Sequence, residues 1–211
     1  MSRRNFVKLA ACAGLLGPIL FGAALIALTL AQYDFMLTLG WHPLHAPTLD
    51  WPSGLALGPL GRLMTAAFLL NGAAMVWFAS GLCAALGKGR RLRAAPRGPL
   101  LMIFAGLAMM GLAFTTDPTI RSTPATWHGR LHDLSFVLLG LSLMPALIVL
   151  GFDFRQDAGW KDLSACTWGS ALLALPAFFI KGAAFYVFLF VMLLWSEMAA
   201  MRLKRMAPNS C

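Results

Sequence analysis

The sequence predicts an all-α membrane protein, a polytopic helical bundle of six transmembrane helices with both termini cytoplasmic. Three observations carry this. First, 59 % of the 211 residues are hydrophobic and only 12 % charged, where a soluble globule carries about 25 % charged residues; mean hydropathy is +0.74. Second, six apolar windows reach or approach the roughly 20 residues that a helix needs to cross the hydrocarbon. Third, the basic residues crowd into the flanks on one side of those windows. The length fits one transmembrane domain over residues 1–211. The net charge of +9 invites a nucleic-acid reading, but bases confined to the flanks of apolar spans serve orientation instead; no nucleic-acid partner is expected.

The windows run about 9–30, 63–86, 99–114, 134–152, 165–180 and 183–201. In front of the first, Ser2-Arg3-Arg4-Asn5-Phe6-Val7-Lys8 is similar to a twin-arginine export signal, and Leu9-Ala10-Ala11-Cys12 to a lipoprotein cleavage box. No apolar stretch precedes Cys12, so the second likeness fails. Five further spans favour an uncleaved first helix. The third and fifth windows are short and need polar or aromatic ends to extend them. Only Lys181-Gly182 separates the last two, which predicts a tight antiparallel hairpin. Gly14, Gly17, Gly22, Gly106 and Gly111 permit close helix contact.

With the N-terminus inside, thirteen of the seventeen bases are cytoplasmic, leaving Arg62, Arg121, Arg130 and Lys181 outside. The positive-inside rule selects that orientation. It puts Cys12, Cys83, Cys166 and Cys211 at the cytoplasmic end, where thiols stay reduced. No CxxC pair occurs. It also puts Asp34, Asp50, Asp117, Asp133 and all four histidines outside. A bacterial cytoplasmic membrane is the expected location.

Two outer segments result, 31–62 and 115–133. The first holds His42, His45, Asp50, Trp51 and Ser53 among prolines and glycines that argue against a long helix. It is expected to be a structured loop on the bundle, its two histidines either exposed or leaning over the mouth. In the second, Asp117-Pro118 ends the third helix, and Thr123-Pro124 is expected to start the fourth as N-cap and first-turn proline. His128 and His132, one turn apart, share a face. Within the spans, Asn71 is expected to join helices by a hydrogen bond, and Glu197 to snorkel or pair with Arg202 or Lys204. The twelve methionines read as core filler.

Three chemistries fit the outer residues. In a polar cap, Asp117 and Asp133 satisfy Arg121, Arg130 and the histidines. In a metal site, Asp117, His128 and His132 hold zinc and leave a position for water, with Asp133 orienting an imidazole; Asp117, His128, His132 and Asp133 are then the catalytic candidates. In the third, a lipid, haem or other hydrophobic ligand meets His42, His45, Asp50, Ser53, Arg121, Trp127 and Arg130.

Leu55-Ala56-Leu57-Gly58-Pro59-Leu60-Gly61, then Ala67-Phe68-Leu69-Leu70-Asn71-Gly72, Phe114-Thr115-Thr116-Asp117-Pro118 and Thr126-Trp127-His128-Gly129-Arg130-Leu131-His132-Asp133 together resemble the bacterial and archaeal membrane proteins called domain of unknown function 998. The likeness runs over nearly the whole chain. It implies a six-span bundle and no established activity, with shared aspartate and histidine positions at Asp117, His128, His132 and Asp133. A weaker likeness is to the alkaline ceramidase and adiponectin-receptor membrane hydrolases, which place aspartate and histidines around zinc; those have seven spans. The expected function is non-catalytic binding of a lipid, a hydrophobic ligand or a partner membrane protein through the outer His/Asp cap. The alternative is a zinc-dependent hydrolase cutting a lipid amide or ester at the outer leaflet. A transporter ranks last, for want of an internal repeat and buried charges.

Overall fold

Backbone that water cannot reach must find its hydrogen bonds within its own segment, and apolar runs of this length therefore coil into helices. A computed structural model describes residues 1–42, 45, 48, 51–86, 96–118, 124–178, 180 and 182–206. Helices α1 (Arg3–Ala31), α2 (Tyr33–Thr38), α3 (Gly61–Leu86), α4 (Arg97–Gly111), α5 (Trp127–Arg155), α6 (Ser164–Ala174) and α7 (Ala183–Met206) follow in order, with 3-10 turns at Pro52–Leu57, Lys161–Leu163 and Leu175–Phe178. Four of them, α1, α3, α5 and α7, are long and apolar enough to cross a membrane. Helix α4 is apolar but has 15 residues, and α6 has 11, continued by its 3-10 turn.

The six longer helices close a ring. Each packs on the next, α1 on α3, α3 on α4, α4 on α5, α5 on α6 and α6 on α7, and α7 returns to α1. Small residues set the tightest seam. A Cβ on Gly72 would lie 2.6 Å from the Gly106 carbonyl oxygen, and one on Gly106 would lie 2.9 Å from that of Gly72. Backbone thus meets backbone between α3 and α4, which is how helices associate without a hydrophobic drive. Gly14, Gly17 and Gly111 likewise sit against Phe78, Ala74 and Ser135. Gly22 does not: a Cβ there meets nothing within 4 Å, because it faces a hollow rather than a helix.

The outside of the ring is oily. Leu20, Leu70, Phe104, Leu141, Leu172 and Val187, one from each ring helix, are all more than 50 % exposed.

The two ends of the ring differ in chemistry. At one, the Gly98 N–H donates to buried Asp153 (3.1 Å), so the last turns of α5 cap the start of α4. Arg3 donates to the Ala84 carbonyl. Arg202 donates to Asp162 (3.0 Å) and to the Gly159 carbonyl (3.0 Å). Arg202 therefore pairs with Asp162 and not with Glu197, whose Oε1 is buried without a hydrogen-bond partner; the α5–α6 connection outcompetes it. Cys12, Cys83 and Cys166 are free thiols, and Cys211 lies outside the described residues.

At the other end, α1, α3, α4, α5 and α7 meet the two interhelical segments. Segment 31–62 contains short helical turns rather than a long helix. Buried Gln32 holds it down: its Nε2 donates to the Leu55 carbonyl (3.3 Å) and its Oε1 accepts from the Leu60 N–H (2.9 Å). Gly182, with φ of 76°, adopts a left-handed conformation that glycine tolerates best and turns the chain into α7.

Candidate functional site

The start of α5 organises the second segment. Its N-cap is Thr126, not Thr123, which lies outside the described residues; Pro124 precedes the helix. The Thr126 hydroxyl accepts from the Gly129 N–H (3.1 Å). Asp117 makes this the favoured start: one carboxylate oxygen accepts from the Thr126 N–H and the other from its hydroxyl, both at 2.7 Å. A negative charge is thereby set against a helix N-terminus, where the peptide dipoles favour it. Gly129 leaves room for it, since a Cβ there would lie 2.2 Å from Asp117 Oδ2.

Both histidines of the pair tie α5 to the end of α4 through the same nitrogen. His128 Nδ1 lies 2.9 Å from the Thr115 carbonyl and 2.9 Å from the Thr126 hydroxyl. His132 Nδ1 lies 2.8 Å from the Phe114 carbonyl and 3.1 Å from that of Leu112. Carbonyls only accept, so each Nδ1 carries the proton. In the uncharged ring the lone pair is then on Nε2. His132 is buried and stands edge-on to Phe68, with centroids 6.4 Å apart.

Beneath this joint lies a partly open chamber of about 660 Å³ within the ring. Its walls come from evenly spaced faces: Met64, Phe68, Asn71, Met75 and Phe78 on α3, His132, Phe136, Leu139 and Leu143 on α5. Matching faces of α1 and α7 complete it, including Gly22, Leu25, Leu189 and Met192. Its mouth is polar, formed by Ser53, Thr116, Asp117, His132 and Asp133. Trp51 roofs it, its ring 5.2 Å from that of Phe136 on α5 and 6.4 Å from that of Phe185 on α7.

The expected site residues divide accordingly. Ser53, Asp117, His132 and Asp133 come together at the mouth. His128 is half-buried in the α4–α5 joint. His42 and His45 are exposed and stack on each other, centroids 5.9 Å apart, so neither lines the chamber. Trp127 is 68 % exposed, edge-on to Phe114 and His128, and Arg130 is exposed. Asp50 and Arg121 lie outside the described residues. Among the described residues no three His, Cys, Asp or Glu side chains gather closely enough to hold a metal ion. Asp117, His128 and His132 face hydroxyl, amide and carbonyl partners rather than a common point.

The chamber went unseen in the sequence, though its signal is there. Met64, Met75, Met102, Met109 and Met192 all line it, where twelve methionines looked like scattered filler. Asn71, expected between helices, lines it too.

The model of the family described as "Protein of unknown function (DUF998)" matches residues 21–202. The chain belongs to the DUF998 family. No curated protein and no solved structure matches it. The matched stretch of this DUF998 protein takes in the whole α3–α6 arc, the joint at Asp117 and nearly all of the chamber-lining residues.

Proposed function

We propose that this protein holds an amphipathic, lipid-like small molecule, its chain in the ring's chamber and its head at the Ser53–Thr116–His132–Asp133 mouth. The carrying observation is the chamber itself. Protein interiors pack almost without voids. At about 660 Å³ this hollow is far larger than the packing gaps of an ordinary interior and lies in the range of sites that hold small molecules. Apolar walls do not hold water well, so the natural occupant is itself apolar. Methionine walls adapt to varied chains.

The reading places the ring in a bacterial cytoplasmic membrane with all six longer helices spanning and the basic end inside. Phe104 on α4 and Leu172 on α6, as exposed as the apolar residues on the long helices, support spanning by the two short ones. The distribution of bases supports the orientation. The mouth then opens on the outer side.

The test is lipid analysis of purified protein. Wild type should release a stoichiometric lipid-like molecule. Gly22→Phe, which builds into open space, should still fold and should lose it. Equal recovery from both proteins would refute the chamber as the binding site. The alternative, a zinc-dependent lipid hydrolase, is favoured by one feature: an Nδ1–H bonded to a carbonyl is how metal-ligating histidines are commonly held. It requires His128 and Asp117 to leave their present partners. Zinc present in the same preparation and lost in His128→Ala/His132→Ala would decide for it.

A further inference from the structure

The mouth carries enough chemistry to name the kind of head group it receives, an inference that rests on the chamber reading above. His132 has no choice of donor. Its Nδ1 faces two carbonyls, at 2.8 and 3.1 Å, so in the uncharged ring Nε2 is the acceptor, and the ring lines the chamber. Asp117 and Asp133 are the charged side chains among the described lining residues, and no lysine or arginine is among them. Both Asp117 oxygens already accept from Thr126. Asp133, one residue on from His132, is exposed and leaves the mouth with negative charge. Serine and threonine hydroxyls at Ser53 and Thr116 complete the set. Such a mouth offers acceptors at His132 and Asp133 and, among its described lining residues, no cation for an anionic head.

We propose that the mouth selects an amphiphile whose head donates hydrogen bonds and bears no negative charge, a long-chain alcohol or amine, with His132 Nε2 as the acceptor and Asp133 as the group that turns away carboxylates and phosphates. The alcohol and the amine share the donor chemistry; the amine adds attraction to Asp133.

The experiment is native mass spectrometry of the detergent-purified full chain with three chain-matched probes, hexadecanol, hexadecylamine and palmitate. Wild type should bind the alcohol or the amine at least about tenfold more tightly than palmitate, the factor that one hydrogen bond of ordinary net strength provides. Asp133→Asn, an exposed change that leaves the fold intact, should bring palmitate up and the amine down. His132→Leu should lose the preference for the alcohol while still taking up chains. Because that variant leaves two carbonyls without a donor, its thermal midpoint is measured alongside, and Asp133→Asn carries the test if it fails to fold. Palmitate binding as tightly as the alcohol and the amine would overturn the selectivity and leave the chamber reading standing. No binding of any probe, in wild type and Gly22→Phe alike, would instead remove the chamber reading.

Discussion

Gly129→Ala isolates the contact on which the mouth is built. A Cβ at this position would lie 2.2 Å from Asp117 Oδ2. Relief by retreat of the carboxylate takes roughly 1 Å, which stretches the two 2.7 Å bonds from Thr126 past the ~3.5 Å at which a hydrogen bond ceases to be one. Bonds to a charged group contribute about 1.5–3 kcal/mol each, and a charge at a helix N-terminus about 0.3–1 kcal/mol more. Alanine returns about 1 kcal/mol as the better helix former. The net destabilisation is about 2–6 kcal/mol. Reversible unfolding in mixed detergent and dodecyl sulfate measures it. The decisive comparison is a double-mutant cycle: in an Asp117→Ala background the obstruction is gone, and Gly129→Ala should become neutral or mildly stabilising. Equal costs with and without Asp117 would refute the argument, as would a cost under about 0.5 kcal/mol in the wild-type background.

Gly72→Val should be among the most damaging single changes in the ring, by about 3 kcal/mol or more, because the added methyls meet the Gly106 carbonyl and Met110; an unfolding midpoint equal to wild type's would show that α3 and α4 do not touch there. Sidedness is checked with an impermeant thiol reagent in a background lacking the four native cysteines. His45→Cys and Ala158→Cys are both exposed positions, and the first should label in intact cells while the second labels only after permeabilisation; the reverse pattern would invert the proposed orientation.

The helices were legible because their signal is local. Apolar length and the flanking bases predicted segments at 63–86 and 183–201, and the structure has helices at Gly61–Leu86 and Ala183–Met206. The start of α5 was misplaced by three residues, Thr123 for Thr126. Thr123-Pro124 has the better local motif, yet Thr126 is the cap because Asp117, nine residues earlier, binds it. The same kind of partner removed Arg202 from Glu197 and gave it to Asp162. These choices rest on contacts between segments, which no local pattern encodes.

Hydropathy alone made this a chain of buried helices, since apolar residues leave water whatever their neighbours are. It also carried the faces that came to line the hollow: Met64, Phe68, Asn71, Met75 and Phe78 recur at helical spacing. Which faces look outward to lipid and which look inward across a gap was settled by the closing of the ring. Both environments are oily, so a leucine facing one reads the same as a leucine facing the other. Only the packing of α7 back onto α1 turned one set of those faces into a chamber and brought His132 to its mouth.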